Sequence, residues 1–337
     1  MHAYIAGVEY YLPSCTLTTQ DLAAAFPSWS VEKIDAKTGI QVRHIAAPDE
    51  CASDLAAAAA AQMFRSGLCE PCEIDFILFC SQSADYALPS TACLLQDRLG
   101  IPQSAGALDY NLGCSGYVYG LGLCEGLVAS GQAKVIMLIT ADTYSKYIRA
   151  TDRPSRTIFG DGAAVTLIRA EASASPRLGP FVYGTDGEGA RNLIVPSSGA
   201  RTLCPFRARM DSDPNNTDAD GVLFMDGAEV FRFAMDIVPR TAKQLLRKAN
   251  LSLDQIDLFV MHQANAYLLD EIRMALAIPP EKFVVVLSHC ANTVSSTIPI
   301  ALWHAQRDGR LKAGDRLALI AFGVGYSWSG TIVRWFV

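Results

Sequence analysis

Cys114, in the run NLGCSGY, is the residue of this 337-residue chain best placed to act as a nucleophile. Gly113 and Gly116 flank it, and an apolar helical stretch follows. A cysteine at such a strand-to-helix elbow lies at a helix N-terminus, where the dipole and free backbone amides stabilise a thiolate and lower its pKa. The glycines permit a sharp turn and the close approach of an acyl group. The bland alternative is an inert buried thiol.

Two further side chains have chemistry that complements a thiolate. His262 opens HQAN directly after the apolar run IDLFVM, at the carboxyl end of a strand, where open α/β sheets hold their ligands. Asn292 lies in CANTVSST, at a second elbow, where it is either a polar site residue or a simple helix cap. His289 stands three residues earlier as a rival base. Near the C-terminus, AFGVGYSWSG sets a glycine-rich turn after the strand RLALI, and such a turn points backbone N–H groups at a developing oxyanion. Cysteine, histidine, asparagine and a glycine turn are the parts for acyl transfer through a thioester.

The elements that must position these groups come in two sets. EIDFILFCSQSA (73–84) and QIDLFVMHQANA (255–266) each follow a helical stretch, open with Ile-Asp and run into a continuous apolar strand. Downstream, each half repeats strand, elbow, apolar helix, strand, so that Cys114 and Asn292 occupy nearly equivalent elbows. Matched halves of alternating helices and buried strands imply an α/β fold. The expected architecture is a duplication with parallel or mixed sheets, its small-residue-rich helices sandwiched between two sheets. Its halves would be residues 1–172, carrying the cysteine, and 173–337, carrying the histidine and asparagine. An irregular insert at 184–221 is long enough to be functional or mobile.

Bulk composition narrows the partners. Half the residues are hydrophobic, 18% are charged and the net charge is −6, so neither nucleic acid nor a membrane surface is an expected partner. No apolar run approaches the ~18 residues of a spanning helix. The N-terminus MHAYIAGVEYYLP reads as a first strand rather than a leader, so a cytoplasmic location is expected. The ten cysteines are scattered, and reduced thiols are the expectation. Cys69 and Cys72 in CEPC have metal-like spacing but no second pair, and no metal is expected.

With these residues in hand, the chain resembles the β-ketoacyl-acyl carrier protein synthase III group of thiolase-fold condensing enzymes. The resemblance spans essentially the whole chain, through KTGIQVRHIA (37–46), ALPSTACLLQDRLG (87–100), the GCSG elbow, TDRPSRTIFGDGAA (151–164), MDGAEVFRFA (225–234), HQAN (262–265), ANT (291–293) and AFGVG (321–325). It implies a thiolase-like duplicated α/β fold of five layers, αβαβα, with two mixed sheets, and a decarboxylative Claisen condensation in fatty-acid or specialised acyl and polyketide biosynthesis. Cys114 would take an acyl group from a thioester donor. His262 and Asn292 would bind the thioester carbonyl of a malonyl-type extender, and the backbone amides of Cys114 and Val324 would form the oxyanion hole. Phe322 would shape the pocket. Acyl-CoA and acyl carrier protein enter as substrates, with no cofactor. A homodimer is implied, with segment 85–92 reaching the partner's acyl pocket and Leu88 bearing on chain length.

The substrate-binding mouth departs from the family's pattern. Lys33 stands where a tryptophan stacks on adenine, Lys37 replaces an arginine, and Tyr267 replaces the arginine after HQAN, whereas Arg153 in TDR matches. Lysine meets a phosphate as a point charge, but stacking is weakened, which makes a carrier-borne donor and a specialised pathway plausible beside acyl-CoA priming. A non-condensing acyltransferase of the same fold, moving the acyl group to an alcohol or amine, would use the same cysteine and histidine without needing Asn292. A silent carrier-binding subunit is argued against by the intact triad. Hydroxymethylglutaryl-CoA synthases share the fold but depend on a glutamate that has no counterpart among these motifs.

Overall fold

Continuous apolar runs make strands that are buried on both faces, and the chain forms them in two sets of matching order. The structure, a computed structural model, describes residues 1–197, 199–201 and 221–336. In chain order the first strands are β1 (His2–Tyr11), a ribbon of β2 (Cys15–Thr18) and β3 (Val42–Ile45), β4 (Phe76–Cys80), β5 (Gly106–Tyr110), β6 (Val135–Asp142) and β7 (Gly162–Glu171). Among them lie α1 (Thr19–Ala25), α2 (Val31–Thr38), α3 (Ala52–Arg65), α4 (Thr91–Arg98), α5 (Gly116–Ala129) and α6 (Arg153–Ile158).

The later strands are β8 (Leu178–Thr185), a short pair β9 (Leu193–Ile194) and β10 (Phe224–Met225), β11 (Leu258–Met261), β12 (Phe283–Val284), β13 (Arg316–Gly323) and β14 (Ser327–Arg334). With them come α7 (Gly227–Ala249), α8 (Ala266–Ala275) and α9 (Thr297–Arg307). Part of the insert expected at 184–221 lies outside the described residues. Its described portion supplies a 3-10 turn at Gly187–Asn192 and β9.

One sheet runs β1-β7-β6-β4-β5 and the other β8-β14-β13-β11-β12, the same order twice. In each, the strand pairs nearest the site are parallel (β4 with β5 and β6; β11 with β12 and β13). The remaining pairs are antiparallel, so both sheets are mixed.

Packing gives the five layers. Tyr117, Val118, Leu121 and Val128 of α5 and Ile298, Ala301, Leu302 and Ala305 of α9 share one core with both sheets, so these two helices form the middle layer. Helix α5 is apolar on all sides because it has a sheet on each. Its small residues set how closely it packs: a Cβ on Gly120 would lie 2.2 Å from the Tyr110 hydroxyl and 2.6 Å from Leu138. Helices α3 and α4 cover the outer face of the first sheet, and α7 and α8 that of the second. Among the described residues no helix is long and apolar enough to cross a membrane.

Candidate active site

The duplicated topology delivers each reactive residue from the carboxyl end of a parallel strand. β5 leads into Cys114, β11 into His262, β12 into the elbow of Asn292, and β13 ends at Gly323. Cys114, His262, Asn292, Phe322 and Gly323 line one narrow, mostly apolar cavity of about 130 Å³.

Cys114 precedes Ser115, the N-cap of α5, and the Ser115 hydroxyl bonds that of Ser327 at 2.6 Å, tying the elbow to β14. Packing behind the thiol is tight, since a Cβ on Gly323 would sit 2.7 Å from the cysteine Cβ and 3.1 Å from its sulfur. The helix terminus does not lower this pKa. Burial pushes the thiol up to about 12, the Asp142 carboxylate adds to the rise, and its own backbone amide opposes it only in part. Desolvation outweighs the dipole because, among the described residues, no cation beside the sulfur replaces lost water.

His262 continues β11, donating its backbone N–H to Ile320 at 2.9 Å. Its ring is buried, edge-on to Phe322 at 5.5 Å, and its Nδ1 lies 2.8 Å from the Thr297 hydroxyl. Desolvation lowers its pKa to about 3, so the imidazole is neutral at physiological pH. The other polar members of HQAN are structural. Gln263 braces the sheet, donating to the Met261 and Val284 carbonyls and accepting from Val286, and Asn265 caps α8 through Leu268 N–H at 2.9 Å.

The Asn292 side chain is oriented from both ends. Its Oδ1 accepts from Val294 N–H at 2.9 Å and its Nδ2 donates to the Ala264 carbonyl at 3.4 Å. Its backbone forms an isolated bridge with Phe159, just past α6, donating to Ile158 and accepting from Gly160, both at 3.1 Å. Ala291 and Val294 both take φ of 57°. A β-branched residue at positive φ is strained, and the surrounding bonds must hold it there. Ser295, next in line, donates to buried Asp142 at 2.5 Å, while the Gln82 backbone N–H donates to the same carboxyl at 2.8 Å. Burial raises Asp142 to about 7, against the lowering by those bonds.

The rival base is not in this site: His289 lines a separate cavity with Tyr10, His44, Cys290 and His304. Cys69 is buried in the core under α3 and Cys72 is exposed, and both are free thiols.

A second cavity of about 380 Å³ shares Ile158, Gly227, Asn265 and Tyr267 with the first and forms its mouth. Lys37 and Tyr267 line it, and Tyr267 stacks on Phe231 at 5.7 Å. Lys33 is exposed and does not line either cavity. The sequence reading missed Trp29, which lies just ahead of the α2 cap, four residues before Lys33, and lines the mouth. Its ring lies 5.8 Å from the Arg153 guanidinium and 6.0 Å from the Lys37 ammonium. Arg153 also donates to Ser28 at 2.8 Å. Ser30, whose hydroxyl caps α2, was the available signal: a residue just before a helix cap projects at the helix's edge. Leu88, 82% exposed, lines none of the cavities built on these residues.

Residues 108–187 match the family described as 3-oxoacyl-[acyl-carrier-protein (ACP)] synthase III, and residues 246–335 match its C-terminal portion. A β-ketoacyl-[acyl-carrier-protein] synthase III from Syntrophomonas wolfei is 35% identical, covering 99% of this chain and 98% of its own. A crystal structure of a 3-oxoacyl-(acyl-carrier-protein) synthase III aligns at 49% identity and TM-score 0.96, over 99% of this chain and 100% of that one. The priming β-ketosynthase of the R1128 polyketide pathway aligns at 27% identity and TM-score 0.87, over 99% and 96%.

Proposed function

This chain belongs to the 3-oxoacyl-acyl carrier protein synthase III family of acyl-transferring condensing enzymes, and on that footing we propose how its residues divide the reaction. Cys114 attacks the carbonyl of an acyl thioester, the donor's thiol leaves with the cysteine's proton, and an acyl-cysteine forms. A malonyl thioester then enters with its carbonyl between His262 Nε2–H and an Asn292 Nδ2–H. Loss of CO₂ leaves an enolate, which these two neutral donors stabilise. The enolate carbon attacks the acyl-cysteine, whose oxygen is held by the Cys114 and Val324 amides. Collapse expels the thiolate, which takes a proton from solvent, and the β-ketoacyl product departs on its carrier.

The observation that carries this reading is the meeting of Cys114, His262 and Asn292 in one narrow cavity with the imidazole neutral. A charged imidazolium would bind the malonyl carboxylate and resist its loss; a neutral ring does not.

At the mouth, Trp29 with Lys37 and Arg153 offers an aromatic face beside two cations. This fits the base and phosphates of a CoA-borne donor, and the cations also suit the phosphopantetheine of a carrier protein. The extender comes on acyl carrier protein, the location is cytoplasmic, and no cofactor takes part. The division into halves 1–172 and 173–337 is supported by the strand sets, the first sheet ending at Glu171 and the second beginning at Leu178. The chain acts as a homodimer through β5, an edge strand whose Leu108 is 48% exposed, together with exposed Tyr86 and Leu88 of the loop between β4 and α4. Leu88 then reaches the partner's acyl pocket.

Intact-protein mass spectrometry with acyl-CoA and acyl-carrier donors, followed by malonyl-carrier protein, tests the reading. Wild type gains an acyl mass that malonyl-carrier protein discharges with CO₂ release, and Cys114→Ser gains none that is discharged. An acyl mass that only an alcohol or amine removes would instead make the protein a non-condensing acyltransferase.

A further inference from the structure

Past the nucleophile lies a cavity of about 290 Å³ bounded by Gln82, Asn111, Tyr144, Tyr147, Leu193, Leu223 and Val324. Tyr144 and Leu193 also line the pocket of Cys114, so the two spaces adjoin. A Cβ on Gly113, the residue before the cysteine, would lie 2.4 Å from Gln82 Oε1 and 2.8 Å from Val324. With consecutive Cα atoms 3.8 Å apart, the Gln82 amide is no more than about 11 Å from Sγ. A six-carbon acyl group carried on Cys114 is therefore long enough to bring a polar function near its end to this amide.

The amide is fixed from several sides. Gln82 Oε1 accepts from the Tyr144 hydroxyl at 2.6 Å, and Nε2 donates to Asn111 Oδ1 at 3.2 Å. The Gln82 backbone N–H donates to Asp142 at 2.8 Å, and its carbonyl accepts from the Tyr147 hydroxyl at 3.2 Å. A primary amide has two hydrogens and two lone pairs on its oxygen, so these bonds leave one of each for a ligand. Leu193, Leu223 and Val195 add aliphatic walls to the same cavity. A plain alkyl terminus seated there would strip water from the amide and give no hydrogen bond back, which is the expensive case. A hydroxyl or oxo group restores the bond.

Resting on the reading of Cys114 as the acyl carrier, we propose that the acyl group it accepts is short and ends in a hydroxyl or oxo function that bonds Gln82, with Tyr144 positioning that amide. Gln82 is the specificity-determining residue.

The test compares hexanoyl-CoA with hexanoyl-CoA hydroxylated at its penultimate carbon, following initial rates of Cys114 acylation by intact-protein mass spectrometry. Wild type reacts about tenfold faster with the hydroxylated donor, the scale of one good buried hydrogen bond. In Gln82→Leu the ratio falls to within threefold of parity because the alkyl donor gains, and in Tyr144→Phe it falls part of the way. Equal rates in wild type, or a preference that survives both substitutions, overturn the inference while leaving Cys114 as nucleophile. If neither donor acylates Cys114, the nucleophile assignment fails and this inference falls with it.

Discussion

Replacing Thr297 by valine would remove one hydroxyl proton from the site while keeping its volume. Thr297 Oγ1 lies 2.8 Å from His262 Nδ1 and 3.2 Å from the Val294 carbonyl, and one hydrogen cannot serve both acceptors fully. The imidazole is neutral, so it carries a single ring proton. If it is to donate from Nε2 to a thioester carbonyl, Nδ1 must be the acceptor, and Thr297 must donate to it over the shorter contact. Valine leaves that buried nitrogen unpaired. An unsatisfied buried acceptor costs about 1–3 kcal/mol, and ~1.4 kcal/mol is a factor of ten in rate. Loss of the Nε2–H form should therefore slow CO₂ release from malonyl-carrier protein by about 10- to 100-fold. Thr297→Ser, which keeps the hydroxyl, should recover most of the rate, and ¹⁵N spectra of the His262 ring should show the proton on Nε2 in wild type and shifted toward Nδ1 in the valine variant. Decarboxylation within threefold of wild type in Thr297→Val would refute the reasoning. It would mean that the Nε2–H form does not depend on the threonine hydroxyl.

Asp142→Asn removes a carboxylate that holds the Cys114 thiol up, so alkylation of Cys114 by iodoacetamide at pH 8 should quicken several-fold. The folded carboxyl binds its proton up to about pH 7, whereas an unfolded aspartate releases it near ~4. Its contribution to stability is thus full below pH 4 and is lost as pH rises to 7. The melting-temperature difference, asparagine variant minus wild type, should accordingly be more favourable at pH 8 than at pH 4. Trp29→Ala should raise KM for acyl-CoA donors about tenfold with a smaller effect on carrier-borne donors, measured by steady-state kinetics. Gly120→Ala should cost about 1–3 kcal/mol by driving a methyl into Tyr110 and Leu138, read as a fall of several degrees in melting temperature.

Much of the scaffold was legible because duplication leaves a signal that spacing can carry. The two Ile-Asp strands, the two elbows and the glycine turn reappear as β4 and β11, the ends of β5 and β12, and the end of β13. The meeting of Cys114, His262 and Asn292 in one cavity was legible for the same reason, since equivalent loops of two facing halves open on the same end of the sheets. What escaped depends on distances between segments far apart in sequence. Trp29 matters only because α2 and α6 set it against Arg153. Thr297 is in hydrogen-bond reach of His262 only because α9 starts beneath β11. The Gln82–Tyr144 pair joins residues 62 positions apart. The direction of the Cys114 pKa escaped too: an elbow motif shows the helix terminus but not how completely neighbouring strands exclude water.

That last point bears on how the site works. One cause, removal of water, pushes the cysteine and the histidine toward their neutral forms, the thiol up to about 12 and the imidazole down to about 3. A cysteine hydrolase would be disabled by this, because it relies on a standing thiolate–imidazolium pair. A condensing enzyme is not. Its histidine must stay neutral while a malonyl carboxylate is nearby, and its cysteine needs to ionise only while a thioester carbonyl fills the cavity and the backbone amides accept the charge. Between turnovers the protonated thiol is guarded against oxidation and stray alkylation, which require the thiolate. The same burial leaves Asp142 close to neutral pH, between Gln82 on the acyl side and Ser295 beside the Asn292 elbow. Its charge is thus placed to bias the sulfur, which makes Asp142→Asn the substitution that separates burial from charge as the reason Cys114 stays protonated.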